Sequence, residues 1–251
     1  MRSLKHIIAV VTVALPCLAI AAGGGYKVEP ANVNLEDRAS LQRGAKLFVN
    51  YCLSCHSASF MRYGRMGEDL GLDKEQLANN LMLASDKVGS GMHIAMQPDD
   101  ASKWFGVVPP DLSVIARSRG PDWLYTYLMS FYKDDSRPFG VNNLMFPSVG
   151  MPHVMERLQG LRRLRDIGVD ADGEPKARGT NPLRELVTDS EGTRSAGKFS
   201  KDTRDLVGFL TYLGEPAKLE RYDLGMKVLI FLLILTFLCR ALYKEYWKDV
   251  H

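Results

Sequence analysis

The feature that most constrains this chain of 251 residues is a long apolar segment close to its C-terminus, residues 224–243. A helix needs about 20 such residues to span a bilayer. Lys227 and Arg240 lie near the two ends, where their long stems can extend to the headgroups. Aromatic residues that favour the membrane interface follow: Tyr243, Tyr246 and Trp247. The segment predicts a transmembrane helix over 224–243 and a tail at 244–251. The alternative, a helix buried in a soluble core, fits less well because a core helix is rarely apolar on every side.

The N-terminus carries a second, shorter apolar run. Arg2 and Lys5 precede it, and small residues follow around Ala21. A basic start, a short apolar stretch and small residues at the cleavage site are typical of a secretory signal peptide. The sequence therefore predicts a signal peptide over 1–21, with an uncleaved anchor as the alternative. In a bacterial chain, export would place residues 22–223 in the periplasm and the protein in the inner membrane, with a cytoplasmic C-terminus.

The charge of the chain is close to balanced. It has 32 Lys and Arg against 29 Asp and Glu, a formal net charge of +3. A dedicated nucleic-acid-binding protein usually shows a basic patch or a much higher isoelectric point. We therefore expect no nucleic-acid partner.

Helical periodicity dominates residues 22–223. Apolar residues recur at spacings of three and four in helices predicted to begin near Ser40, Pro121 and Ser200. Alternating strand patterns are scarce, so the sequence predicts a mainly α fold. Residues 157–199 differ because they are charged and contain glycines, and we interpret most of this stretch as an exposed excursion.

The motif that carries chemistry is Cys52-Leu53-Ser54-Cys55-His56. Two thiols at this spacing can add to the two vinyl groups of a heme, and the adjacent imidazole can ligate its iron. The motif predicts one covalently bound heme c, attached to Cys52 and Cys55, with His56 as the proximal ligand. Three alternatives compete. A thioredoxin-like redox pair would follow a strand, a zinc site would need more ligands nearby, and a disulfide would leave His56 unexplained.

A second axial ligand is expected on the other side of the iron. Met151 is the best candidate because it lies in a Gly-Met-Pro turn that can hold a thioether rigidly. Met145, Met155 and His153 are the alternatives. A thioether ligand raises the reduction potential relative to two histidines. Because an iron with six ligands has no open position, this arrangement predicts electron transfer rather than oxygen activation.

The whole arrangement resembles the cytochrome c1 family, the heme c subunit of the ubiquinol–cytochrome c reductase (cytochrome bc1) complex. Three segments carry the resemblance: Arg43 to Ser57 with the heme motif; Pro109-Pro110-Asp111-Leu112-Ser113 followed by Arg117 and Arg119; and Asp205 through Glu215-Pro216 to the apolar helix. The resemblance implies a class I cytochrome c-like heme domain with a single C-terminal transmembrane helix.

The resemblance also implies roles for single residues. Pro110 would pack on the heme edge, and Arg117 would pair with a heme propionate. A buried propionate needs a charge-assisted donor, which a guanidinium supplies with two parallel N–H groups. A solvated surface charge is the alternative interpretation of Arg117. The first and last helices would cross closely at Gly44 and Gly208, beside Phe48.

The function implied by the resemblance is an electron relay. A Rieske iron–sulfur subunit would pass one electron to the heme, which would then reduce a soluble cytochrome c, with cytochrome b as the membrane partner. The chain itself would make no bonds, so it would be an electron-transfer subunit rather than an enzyme on its own. The alternatives are a heme subunit of a terminal oxidase, and a heme peroxidase or gas sensor with a labile distal site.

Overall fold

A computed structural model describes residues 27–165 and 186–249. The predicted signal peptide lies outside these residues. The helices are α1 (Arg38–Tyr51), α2 (Tyr63–Leu70), α3 (Lys74–Asn80), α4 (Pro98–Phe105), α5 (Ile115–Arg119), α6 (Pro121–Met129), α7 (Glu156–Gln159), α8 (Ala196–Gly214) and α9 (Lys218–Tyr246). The strands are β1 (Ala58–Arg62), β2 (Gly91–Met92), β3 (Phe131–Lys133), β4 (Val141–Asn143), β5 (Arg162–Leu164) and β6 (Leu186–Thr188). They form the antiparallel pairs β1–β2, β3–β4 and β5–β6. The mainly α prediction is confirmed.

Ser40 and Ser200, predicted as the N-caps of two helices, do not cap them. In α1 the N-cap is Asp37, whose carboxylate accepts a hydrogen bond from the backbone N–H of Ser40 at 2.9 Å. The Ser40 hydroxyl instead donates to Asp205 of α8 at 2.5 Å. Helix α8 begins at Ala196, a full turn before Ser200. Polar residues close to a helix start therefore compete for the cap, and tertiary contacts decide between them.

Helices α1 and α8 cross at close range. A β-carbon at Gly44 would overlap the carbonyl oxygen of Asp205 and lie 2.7 Å from the β-carbon of Phe209. A β-carbon at Gly208 would meet only a Leu41 methyl group, at an ordinary 3.8 Å. The close approach expected of the first and last helices is present, but Gly44 alone makes it possible.

The apolar side chains form two cores of unequal size. The main core lies around the α1–α8 crossing and includes the fully buried side chains Phe48, Tyr63, Met66, Phe199, Leu206 and Phe209. The second core, beside the β3–β4 hairpin, consists of Phe131, Val141 and Val149, with Met151 packed against it. The main core supports the Cys52–His56 motif, and the small core supports the loop that carries Met151.

The stretch predicted as an exposed excursion is anchored at both of its described ends, and its exposure as a whole stays a prediction. Leu158 is only 8% exposed and Phe199 only 1%. Strand β5 pairs with β6, and the N–H groups of Thr193 and Arg194 donate to the carbonyls of Arg157 and Leu158 in α7, at 2.9 and 3.0 Å. Leu158 and Leu186 are buried, whereas Arg157, Asp189 and Glu191 are exposed. Residues 166–185 lie outside the described chain.

Helix α9 is long and apolar enough to cross a membrane. It has 29 residues, its most apolar window has a mean hydropathy of 2.1, and none of that window is buried against the rest of the protein. No other helix in the described ranges has these properties. Helix α9 contains the whole of the predicted span 224–243 and extends beyond both of its ends.

Candidate heme-binding site

The two cysteines of the motif lie in a tight turn that directly follows α1. The N–H of Cys52 donates to the carbonyl of Phe48 at 2.8 Å and completes the last turn of the helix. The N–H groups of Cys55 and His56 then donate to the carbonyl of Cys52, at 3.0 and 2.9 Å. These bonds fold the motif onto the end of a buried helix, which fixes the spacing of its three functional side chains.

The imidazole of His56 is oriented for metal binding. Its Nδ1 lies 2.8 Å from the carbonyl oxygen of Pro110. Because a carbonyl only accepts, Nδ1 carries the proton, and Nε2 keeps its lone pair for a metal. Burial lowers the pKa of His56, against smaller raising effects of the Pro110 hydrogen bond and of Asp111. The imidazole is therefore neutral near pH 7, which is the state that ligates iron.

Asp111 anchors the segment that supplies this carbonyl. Its carboxylate accepts hydrogen bonds from the backbone N–H groups of Ser59 at 2.9 Å and Ser113 at 2.8 Å. Partial burial raises the pKa of Asp111, but the hydrogen bonds from Ser113 and Ser59 outweigh it and hold the pKa below its usual value. Pro110 was expected at the heme edge. It lines an apolar cavity between His56 and Met151, and its carbonyl also orients the proximal imidazole.

An apolar cavity of about 460 Å³ lies between His56 and Met151, with Cys52 and Pro110 also in its wall. Much of the remaining wall comes from Leu112 and from apolar residues of α5, α6 and α8: Ile115, Trp123, Leu124, Leu128, Leu206 and Leu210. Cys55 borders an adjoining crevice of about 80 Å³, whose walls also include His56 and Met151. Cys52, Cys55, His56 and Met151 are thus brought together around two adjoining spaces that share His56 and Met151.

Met151 is the candidate distal ligand that the geometry favours. Met151 is half-buried at the cavity wall, and its thioether sulfur accepts a hydrogen bond from the Tyr127 hydroxyl at 3.3 Å. The three alternatives, Met145, Met155 and His153, are not part of this wall. Met155 is buried in the main core, and His153 stacks on a phenylalanine ring of the small core. Ligation by Met151 stays a prediction.

Arg117 and Arg119, which follow the Pro109–Ser113 motif, point to different places. The guanidinium of Arg119 lies 5.1 Å from the ring centroid of Trp123, and Arg119 lines the cavity. Arg117 is exposed, its stem lies against Gly214, and it is not part of the cavity wall. Residues two apart on a helix face different directions. The pairing of Arg117 with a propionate stays a prediction. Arg119 is a second candidate for this pairing, which the sequence reasoning missed.

The residues of the site fit a covalently held heme better than the alternatives. Burial raises the pKa of the Cys52 thiol to about 12, whereas a Cys-x-x-Cys redox pair depends on a lowered pKa. Cys52 and Cys55 form no disulfide, and the motif follows a helix rather than a strand. In the part of the chain that the structure describes, no three His, Cys, Asp or Glu side chains gather as a metal site, so zinc has no support.

Fold and site together define a c-type cytochrome with one candidate membrane helix. The model of the cytochrome c1 family matches residues 31–250, and the chain therefore belongs to that family. Proteins of the family carry one covalently attached heme c and transfer electrons as part of the bc1 respiratory complex, where they are anchored in the membrane.

Similarity to individual relatives extends over the whole chain. Cytochrome c1 of Allochromatium vinosum is 49% identical over 98% of this chain and 99% of its own length. A protein of Nitrosomonas europaea named ammonia monooxygenase gamma subunit is 44% identical over the full length of both chains. Cytochrome c1 of Rhodospirillum rubrum is 25% identical over 93% of this chain and 94% of its own. The similarity therefore covers both the heme motif and the C-terminal helix.

Proposed function

We propose that this chain relays single electrons from a Rieske iron–sulfur protein to a soluble cytochrome c, beside cytochrome b, as a subunit of the ubiquinol–cytochrome c reductase complex. The observation that carries the proposal is that His56 and Met151 border the same apolar cavity. If the His56 imidazole and the Met151 thioether both bound the iron, no coordination position would be left for oxygen. Such a centre exchanges electrons without making or breaking substrate bonds.

A bound heme supplies a one-electron couple at this site. Cys52 and Cys55 would hold it covalently, while the Pro110 carbonyl keeps His56 in the tautomer that ligates. The apolar walls from α6 and α8 exclude water. Because poorly solvated surroundings disfavour the more positive ferric state, these walls raise the reduction potential, as the Met151 thioether also does.

In the topology that we propose, the heme domain meets its two electron partners in the periplasm. Residues 1–21 would be a signal peptide, 22–223 a periplasmic heme domain, 224–243 the transmembrane helix and 244–251 a cytoplasmic tail. Lys244 and Lys248 support this orientation, because basic residues flank spans on the cytoplasmic side. A C-terminal alkaline phosphatase fusion, which is active only after export, should be inactive. High phosphatase activity would mean that the C-terminus is exported, which would contradict this orientation.

The partners can be tested on the intact assembly. A tagged chain purified from membranes in mild detergent should bring cytochrome b and a Rieske protein with it, and the preparation should reduce soluble cytochrome c with quinol in an inhibitor-sensitive way. An accompanying copper–heme oxidase core would contradict the proposal. Co-purification of an ammonia-oxidising complex would also contradict the proposal; this outcome is considered because of the name of the Nitrosomonas europaea relative.

The ligand set can be tested by Met151→Leu, which removes the thioether while nearly conserving side-chain volume. We expect the heme to stay covalently attached, the weak far-red absorption of a methionine–ferric iron bond to vanish, the potential to fall and carbon monoxide to bind. Met145→Leu is the matched control, because Met145 lies on the same loop outside the cavity wall. An unchanged spectrum and potential in Met151→Leu would remove Met151 from the ligand set.

A further inference from the structure

The sulfur of Met151 has a protein partner of its own. The Tyr127 hydroxyl donates a hydrogen bond to it at 3.3 Å. A thioether sulfur has two lone pairs, so one can accept from the hydroxyl while the other faces a metal. No pattern in the sequence singles out Tyr127, which lies on the buried face of α6 among other aromatic residues.

The ring of Tyr127 is held in one orientation. It stacks on Trp123 with centroids 5.1 Å apart and planes 10° apart, and it meets Phe131 edge-on at 5.3 Å. A ring held from two sides cannot swing its hydroxyl away from Met151 without breaking these contacts. The direction of the hydrogen bond is therefore fixed by packing.

The backbone of Tyr127 is tied to the loop that carries Met151. The Asn143 side chain is fully buried, and its Nδ2 donates to the carbonyl of Tyr127 at 2.8 Å. Its Oδ1 accepts from the N–H groups of Met145 at 2.9 Å and Phe146 at 3.2 Å, and from the Ser130 hydroxyl at 3.1 Å. One amide thus joins the end of α6 to the start of the loop, so Tyr127 and Met151 keep their relative positions.

We propose that Tyr127 is a positioning residue that holds the Met151 thioether in place and raises the reduction potential of the site. This inference rests on the proposed function, in which Met151 is the distal ligand. A hydrogen bond donated to sulfur withdraws electron density from it, which makes the thioether a poorer donor. Ferric iron depends on that donation more than ferrous iron does, so the bond favours the reduced state.

The test is Tyr127→Phe in the full, heme-loaded chain purified with its membrane partners. Tyr125→Phe is the matched control, because it makes the same change on the same helix and removes a hydroxyl that pairs with Ser200 at 2.8 Å outside the cavity wall. At a fixed ambient potential we expect Tyr127→Phe to raise the ferric-to-ferrous ratio about three- to tenfold, where tenfold corresponds to about 59 mV for one electron. The far-red methionine–iron absorption should shift but persist, and Tyr125→Phe should change neither quantity.

Two results would overturn the inference: a wild-type potential in Tyr127→Phe, or an equal shift in Tyr125→Phe. If either result is obtained while the Met151→Leu variant loses the far-red absorption, the inference fails but Met151 remains the proposed ligand. A Met151→Leu variant that behaves as wild type removes the ligand and this inference together.

A second variant keeps the inference testable if Tyr127→Phe fails to accumulate. Replacement of Tyr127 alone by 3-fluorotyrosine keeps the ring and the hydroxyl but makes the hydroxyl a stronger donor. The potential should then rise, which is the opposite sign to the phenylalanine variant. A fall or no change would contradict the inference.

Discussion

The two sides of the candidate site are built in different ways. On the proximal side, Cys52, Cys55 and His56 are almost consecutive and sit at the end of a helix buried in the main core. On the distal side, Met151 lies far along the chain, on a loop supported by a small core and by the side-chain amide of Asn143. Helix packing dominates on the proximal side, where the Pro110 carbonyl adds a hydrogen bond to His56, and a polar network beside a small core dominates on the distal side.

This difference predicts different responses to change. Close-packed helices resist rearrangement, and an added atom at their contact is costly. A buried polar network depends on every donor and acceptor, so a single altered group can loosen it without unfolding the protein. We therefore expect proximal changes to act on global stability and distal changes to act on ligation.

The largest effect is expected at the α1–α8 crossing. In Gly44→Ala the new β-carbon would overlap the Asp205 carbonyl and press on Phe209, so the two helices must move apart. We expect a loss of about 3 kcal/mol in the free energy of unfolding, measured by denaturant titration of the heme-loaded protein. Gly208→Ala is the control, because its β-carbon meets an ordinary contact and alanine favours the helix by up to about 1 kcal/mol. Equal losses in both variants would contradict this account of the crossing.

The next effect concerns the ion pair across the same helices. The Asp205 carboxylate accepts from Arg43 Nε at 2.6 Å and from the Ser40 hydroxyl, and its side chain is 5% exposed. In Asp205→Asn the pair is lost, but Arg43 is 44% exposed and can turn to water. We expect a loss of about 1–2 kcal/mol, less than for a fully buried pair. Asp100→Asn, which removes an exposed pair with Lys103, should change the unfolding free energy little. If Asp205→Asn lowered the free energy of unfolding as little as Asp100→Asn does, the Arg43–Asp205 pair would contribute nothing to the stability of the crossing.

A smaller effect, of a different kind, is expected on the distal side. Asn143→Asp replaces the donor that faces the Tyr127 carbonyl with a second acceptor, so the hydrogen bond becomes a repulsion. The loss of this donor to the Tyr127 carbonyl costs about 1–3 kcal/mol and the buried charge adds to this cost, so the open form of the site should become at least about tenfold more populated, and carbon monoxide should bind correspondingly faster. Asn50→Asp is the control, since it loses an exposed hydrogen bond to the Lys46 carbonyl on α1. Global unfolding of Asn143→Asp at low denaturant would contradict the separation of the two sides.

The proximal side could be predicted from the sequence because its parts are neighbours in the chain. The motif predicts which residues attach the heme, and helical periodicity predicts the segment that carries it. Gly44 and Gly208 show where this reasoning ends. Both lie on predicted helices, and only the rotation of α1 against α8 decides which glycine meets a backbone. Rotation is a property of tertiary packing, not of local pattern.

The distal side could be predicted only in part. The Gly-Met-Pro turn singles out Met151, but Tyr127 and Asn143 contact this loop from positions that no periodicity connects to it. Arg117 and Arg119 differ in the same way, because the orientation of the five-residue helix α5 decides which of them borders the cavity. Such contacts join segments distant in sequence and need the folded structure.

The smallest effect is expected from acid, and it separates the two sides once more. The hydrogen bond from Ser136 is the main cause that holds the pKa of Asp134 below its usual value, and the Asn142 amide donates to the same carboxylate at 2.9 Å. Because the folded pKa is lowered, the stabilisation is present above the unfolded value of about 3.9 and is lost as the pH falls through the folded value. Asn142 also accepts from the N–H of Ser148, so protonation of Asp134 should loosen the Met151 loop. In the wild type, carbon monoxide binding should therefore speed up slightly below about pH 4. Asp134→Asn should show the faster rate already at neutral pH and should have no acid dependence. Asp135→Asn, which changes an exposed neighbour, is the control and should behave as wild type. An acid dependence that persists in Asp134→Asn would place the titrating group elsewhere than in the polar network of the distal side.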